Sequence, residues 1–278
     1  MAKKKGKKRK PEKTIPVVGV IFIILLLVVV PLCLMNLKFP KKTQEPPAQT
    51  EPSPSIQLFQ NKNPYKPEDF VMENGLMTCL ATDGVPGIDV SSYQGEIDWQ
   101  QVQQAGIEFA FVRIGFRRSK DGTLGEDEMG KINLQGASEV GIKVGAYFFS
   151  QATCVEEAQE EAEYALELLQ GYPLDLPLVY DWERVNDRTD GMTRRVMMQC
   201  VETFCSTVEA AGYETMVYFN GEMAKTLINV NKLNDRLVWF AMYGDYPDAP
   251  CKPDYWQYSD KGQIPGIQGD VDLNIYLP

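Results

Sequence analysis

Eight short apolar runs from residue 85 onward, most of them separated by amphipathic segments, limit the folds open to this chain. They fall at 87–90, 109–114, 143–149, 178–182, 215–219, 237–242, 255–258 and 271–275, and are rich in residues that suit a pleated, half-buried surface. Between the first six lie segments with helical periodicity and end signals. Asp98 with Gln101 forms a capping pair before Val102 and Ala105, and Gly106 closes that helix. Thr153 with Glu156 opens a helix carrying Ala158, Ala162, Ala165, Leu166 and Leu169. Val196, Cys200, Val201, Phe204 and Val208 share one face of a helix over 193–211 that stops at Gly212. Further helices are expected over 133–140 and 223–227. Strands alternating with helices require a parallel sheet. Eight strands, the last three following one another closely, predict an irregular TIM-like (β/α)5β3 barrel over 85–278, whose reacting groups would sit at the C-terminal strand ends.

The N-terminal part has a different composition. Residues 1–14 hold eight Lys and Arg against one acid, Glu12. Residues 15–37 then run 23 positions without a charged side chain. As a helix rising 1.5 Å per residue this run spans about 35 Å, enough for a hydrocarbon core of about 30 Å, although Pro16 and Pro31 would shorten or kink it. A cleaved signal peptide is the alternative, but no A-x-A-like site follows, and Cys33 follows Pro-Leu rather than a small residue. The expectation is therefore a single-pass anchor in the cytoplasmic membrane, with a basic cytoplasmic tail at 1–14 and everything after residue 37 facing outward. Residues 38–84 form a linker and lead-in. Seven prolines between 38 and 67 favour an extended spacer that cannot bury a core, and 68–84 read as a short lead-in packed against the barrel.

Charge and missing residue types exclude several functions. From residue 51 there are 17 basic and 36 acidic residues, a formal net of −19, which argues against nucleic acid as a partner. The same charge gives no attraction to an anionic surface, so the anchor is what would hold the domain near one. No histidine is present, which removes Ser-His-Asp and Cys-His catalysis and His-ligated zinc. Gly125-Glu-Asp-Glu-Met-Gly130-Lys131 matches the start of a phosphate loop, but Ile132 replaces the required Ser or Thr and three acids would repel phosphate. No cofactor or metal is expected. Of the six cysteines Cys33 lies in the anchor, and the remaining five, an odd number, cannot all pair within one chain. Most of these are read as small buried hydrophobes.

Carboxylates remain. The run Leu178-Val-Tyr-Asp-Trp-Glu183 is an apolar strand ending in two acids. Strand alternation points Asp181 and Glu183 the same way and Trp182 the other. Two close carboxylates in a partly dry cleft raise one another's affinity for a proton, as glycoside hydrolysis needs of its acid. Asp89 closes the first strand and Asp272 lies in the last, where each could equally cap a turn. Tyr147, Tyr218, Trp239, Tyr243, Trp256 and Tyr258 gather at strand ends, either to stack on sugar faces or to pack the barrel.

The segments GIDVSSYQGEIDW (87–99), FAFVRIG (109–115), VGAYFFS (144–150), PLVYDWE (177–183), VYFN (217–220) and YWQYSDKGQIPGIQGDVDLN (255–274) resemble, in order, those of glycoside hydrolase family 25, the muramidases. The resemblance implies an irregular barrel of eight strands and five helices. It also implies cleavage of the β-1,4 bond between N-acetylmuramic acid and N-acetylglucosamine in peptidoglycan. It carries the family's acid onto Glu183 and its other carboxylates onto Asp181, Asp89 and Asp272, and it places Tyr147, Tyr218 and Trp256 on sugar. Tyr243, at a strand end, and Asn274, in the last motif, complete the expected substrate contacts. The chain departs from the family pattern at its N-terminus, where an anchor stands in place of a secretion signal. The catalytic domain is expected to be monomeric. Two other readings remain: a chitinase-like hydrolase of another amino-sugar polymer, and a wall-binding module without turnover.

Overall fold

The computed structural model describes residues 62–278 apart from 171, 186, 234 and 235. The expected cytoplasmic tail at 1–14, the expected anchor at 15–37 and most of the expected linker lie outside the described residues. Among the described residues no helix is long and apolar enough to cross a membrane.

The lead-in forms a hairpin, β1 (Phe70–Glu73) with β2 (Leu76–Cys79). Asn74 and Gly75 turn it with φ of 53° and 85°, the left-handed pair of a tight hairpin turn that Asn-Gly adopts at least cost. Phe70, Met77 and Cys79 are buried in the main core, and the Phe70 ring lies 5.0 Å from that of Trp256.

All eight expected strands form. They are β3 (Val85–Val90), β4 (Phe109–Arg117), β6 (Lys143–Ser150), β7 (Leu178–Trp182), β8 (Thr215–Asn220), β9 (Leu237–Ala241), β10 (Tyr255–Gly262) and β11 (Val271–Tyr276). A three-residue strand, β5 (Leu124–Glu126), turns back on the end of β4 and was too short to show periodicity. The order β3-β11-β10-β9-β8-β7-β6-β4 closes through β3–β4, giving an eight-stranded barrel. All its pairs are parallel except those of β11, which runs antiparallel to β10 and β3. Helices α1 (Trp99–Gln104), α2 (Gly130–Glu139), α3 (Val155–Leu169), α4 (Arg194–Ala210) and α5 (Gly221–Thr226) match the five expected.

The helix starts follow side-chain chemistry. Asp98 Oδ1 accepts from Gln101 N at 3.1 Å, as the capping pair predicts. Asn220 accepts from the backbone N–H groups of Glu222 and Met223, so α5 starts earlier than its apolar pattern suggests. The expected pairing of Thr153 with Glu156 is not what forms: Thr153 donates through N and Oγ1 to Glu157, one residue further on, and Cys154 occupies the cap.

Alternation along the strands divides the apolar residues into two layers. One set faces the helices, with Ile88, Val112, Phe148, Tyr180, Trp182 and Phe219 among its members. The other fills the barrel, and includes Phe109, Phe111, Val179, Met216, Trp239 and Tyr255. Two inward glycines make room for these rings: a Cβ on Gly87 would stand 2.3 Å from the Phe109 ring, and one on Gly145 2.5 Å from that of Phe111. The filled interior closes the barrel and leaves its two mouths for chemistry. All five described cysteines are free, and four of them are buried.

Candidate active site

A cavity of about 190 Å³ opens at the C-terminal mouth, lined by Asp89, Asp181, Glu183 and Asp272 together with Tyr147, Tyr218 and Tyr243. The opposite mouth holds a larger cavity of about 660 Å³, but its charges are the scattered Glu108, Lys143 and Glu214. Converging chemistry therefore singles out the smaller one.

The last inward position of β7 is Asp181, and Glu183 follows just beyond the strand. Trp182 points outward, fully buried, and its indole N–H donates to Ala152 O at 2.8 Å, which fixes the strand end. Asp181 is 4% exposed, and its Oδ1 has no hydrogen-bond partner among the described residues. A buried acceptor left in this state costs on the order of 1–3 kcal/mol, so the fold carries an unmet demand for a donor at this point. Burial raises the Asp181 carboxyl well above the usual range, the neighbouring Glu183 charge adds to this, and Arg113 opposes it. Glu183 is raised by burial and then by Asp272, while a hydrogen bond from Tyr218 acts in the opposite direction.

Asp89 and Asp272 are register partners across β3 and β11. Asp89 Oδ2 accepts from Gln257 Nε2 and Asn274 Nδ2, both at 2.8 Å. Gln257 Nε2 also lies 3.4 Å from Asp272 Oδ2, and Gln257 Oε1 lies 3.5 Å from the hydroxyls of Tyr218 and Tyr243. Beneath them Trp239 Nε1 donates to Asn274 Oδ1 at 2.8 Å. One polar network thus rises from the barrel core to the carboxylates. Burial, followed by the Asp272 charge, holds Asp89 well above the ordinary carboxyl range, and burial lifts Asp272 to about 6.

Two expected sugar contacts sit elsewhere. Trp256 is fully buried on the outer face of β10, packed on Phe70 and Tyr258, with its N–H on Met242 O at 2.7 Å. Alternation gives the inward place to its neighbour Gln257. Asn274 is also fully buried, and it reaches Asp89 rather than the open cavity. Tyr147, Tyr218 and Tyr243 do line the cavity, and Tyr243 is 54% exposed.

Three further groups were missed. Arg113 lines the cavity and donates from Nε to Asp127 Oδ2 at 2.8 Å; Asp127 belongs to the segment that imitates a phosphate loop. Gln151, fully buried, donates from Nε2 to Glu183 O at 2.5 Å. Behind it Glu161 accepts from Ser150 Oγ at 2.5 Å, from Gln151 N at 3.3 Å and from Arg117 Nε at 2.7 Å. Burial raises Glu161 to about 7 even against these donors. Glu161 had a signal in the sequence, since it stands on the apolar face of α3 between Ala158 and Ala165.

The sequence and the fold are similar to those of known proteins. The chain is 28% identical to the autolytic lysozyme of Clostridium acetobutylicum over 191 residues, covering 68% of this chain and 55% of that protein. It is 29% identical to lysozyme M1 of Streptomyces globisporus over 219 residues, covering 70% and 68%. The chain thus spans about half the length of the first of these relatives. Among solved structures, the lysozyme of Streptomyces coelicolor superposes with a TM-score of 0.60 at 26% identity, covering 71% of this chain and 94% of that one. The modular autolysin LytC of Streptococcus pneumoniae, solved with a synthetic peptidoglycan ligand, shares the fold at a TM-score of 0.64 and 22% identity, covering 75% and 52%. The family model for glycosyl hydrolases family 25 matches residues 88–267, well over half of the 278, and the chain belongs to that family.

Proposed function

We propose that the chain is a muramidase that hydrolyses the β-1,4 bond between N-acetylmuramic acid and N-acetylglucosamine in peptidoglycan, tethered to the outer face of the cytoplasmic membrane by residues 15–37 and acting as a monomer. The observation that carries this reading is the Asp181–Glu183 pair at the end of β7, with Asp181 Oδ1 buried and unpartnered in a chain of this family.

The chemistry follows from where one proton resides. Burial disfavours charge on both Asp181 and Glu183, and the Glu183 charge further disfavours one on Asp181, so the pair favours keeping one proton. A 2-acetamido group in the cleft would offer its N–H to Asp181 Oδ1. That hydrogen bond favours the ionised Asp181 and leaves the proton on Glu183. Glu183 then protonates the leaving glycosidic oxygen while the amide oxygen attacks the anomeric carbon. Asp181 balances the charge developing on the amide. Water, deprotonated by Glu183, opens the cyclic intermediate. Asp89, Asp272 and Gln257 form the wall that holds these groups in place.

Release of reducing ends from purified peptidoglycan, with chitin as control, tests the reading. Cleavage confined to peptidoglycan is expected. Cleavage of chitin at a comparable rate would favour the other amino-sugar polymer, and tight binding without any release would favour a wall-binding module.

A further inference from the structure

The cleft does not end at the carboxylates. A second hollow of about 330 Å³ adjoins the catalytic cavity and shares Tyr93, Arg113 and Phe149 with it. Its walls alternate rings and guanidinium groups. Arg113 lies 5.0 Å from the Tyr93 centroid and 5.4 Å from that of Phe116, and Arg118 covers the other approach to Phe116 at 5.3 Å. Tyr93 is 86% exposed, too open to be explained by packing.

The charges in this hollow divide into two sets. Arg113 is neutralised by Asp127, and the buried Arg117 by Glu161 and Glu160. Arg118 and Lys120, both exposed, have no carboxylate within ion-pairing distance among the described residues; Arg118 acts only at longer range on the exposed Asp121. In a domain with a formal net charge of −19, two unneutralised cations beside an acid-lined cavity are out of keeping with their surroundings. An anionic group of the substrate repelled by Asp89, Asp181, Glu183 and Asp272 would be drawn to this end of the cleft.

Resting on the peptidoglycan reading above, we propose that Arg118 and Lys120 form a subsite for the carboxylates of the stem peptide on muramic acid, with Tyr93 and Phe116 flanking the sugar or peptide that leads to it. The glycan rings are neutral, so carboxylates are the anionic groups this substrate offers. They come from two sources, the stem peptide and the lactyl arm once the stem has been removed. An exposed pair at the far end of the adjoining hollow suits the longer reach of the stem.

Binding of soluble glycan strands to Glu183→Gln protein, followed by tryptophan fluorescence, tests this without requiring turnover. Against that background Arg118→Ala with Lys120→Ala should weaken binding of stem-bearing strands by about three- to tenfold, the range for two exposed charge contacts. The contribution should fade as salt is raised. Strands stripped by an amidase, which keep the lactyl carboxylate, should bind the parent and the double variant within about twofold of each other. Equal loss on both strand types would assign the cations to the lactyl carboxylate and overturn the stem assignment; loss on neither would overturn the subsite. Charge-dependent, stem-dependent binding by a protein whose wild type releases no reducing ends would leave the subsite standing and remove the muramidase reading instead.

Discussion

Asp89 and Asp272 face each other in the antiparallel β3–β11 pair, and Gln257 Nε2 reaches them at 2.8 and 3.4 Å. Asp89 Oδ2 is saturated by Gln257 and Asn274, so the proton that burial forces on this pair is best placed on Oδ1, shared with Asp272. Asp272 at about 6 and Asp89 well above the ordinary range bind protons in the folded state that the unfolded chain has released. Stability from such groups is full below about pH 4, near their unfolded values, and is lost as pH rises through the folded values. Denaturant midpoints should therefore fall between pH 4.5 and 7, and Asp272→Asn should flatten the slope, with a difference on the order of 1–3 kcal/mol at pH 7 once solvent screening is allowed for. A parallel pH profile in the variant would reject the shared proton.

Glu183→Gln keeps the shape of the side chain and removes its titratable proton. Reducing-end release should fall by about 10²–10⁴, the range for a lost general acid, with the melting temperature nearly unchanged because Glu183 faces the cavity. Retention of more than about a tenth of wild-type activity would remove Glu183 from the role of acid.

Asp181→Asn separates function from stability in the opposite direction. The substitution removes the charge of a carboxyl that burial and the Glu183 charge disfavour, so the free protein should become more stable, as when a strained catalytic group is relieved. Turnover should drop strongly while glycan binding persists. Glycan de-N-acetylated at the cleaved sugar should be a poor substrate for the wild type. Rapid cleavage of that glycan, or a glycosyl ester trapped on Asp181 or Asp272, would point to direct attack by a carboxylate.

The strands and helices were legible because each burial face repeats at its own period, and the apolar run before Asp181 shows which end of β7 reaches the mouth. The side on which each residue of β10 falls was not legible. Tyr255, Trp256 and Tyr258 are all aromatic, so composition alone cannot say which alternate set faces inward. That ambiguity placed Trp256 in the cleft and hid Gln257. The hairpin at 70–79 contains an Asn-Gly turn, but its strands are too short to show a period. Arg113 with Asp127, and Gln151 with Glu183, are contacts between residues 14 and 32 positions apart, and the pairing of β4 with β5 and of β6 with β7 rather than any pattern in the local sequence brings them together.

The anchor proposed at 15–37 has its own test. Under that proposal the strongly acidic domain beyond residue 51 would gain proximity to an anionic wall from the tether, whose effective concentration depends on linker length rather than affinity. External protease on wall-stripped cells should release the barrel and leave a short membrane-bound stub. Most of the full-length domain found free in the medium would mean the run is cleaved.

Gln151 should act on the reaction without touching substrate. Its side-chain N–H groups donate to Ser150 O at 3.0 Å and to Glu183 O at 2.5 Å, so it ties the strand end after β6 to the backbone of the acid. Its own backbone is held by Glu161, which Arg117 and Ser150 fix in turn. Gln151→Ala removes the tie and leaves Glu183 O without that donor. Loss of geometry at a general acid lowers kcat more than it raises KM, because ground-state binding is spread over many contacts whereas proton transfer depends on one distance. A fall in kcat of roughly tenfold or more is expected, with KM changed by less than about threefold. The alkaline limb of the kcat profile should also shift, since Glu183 would sit differently relative to Asp272 and Tyr218, the groups that set its proton affinity. A purely structural role would lower the melting temperature and the amount of active protein while leaving that pH limb in place, so a variant with an unmoved limb and an unchanged kcat per folded molecule would show that Gln151 only fills the core.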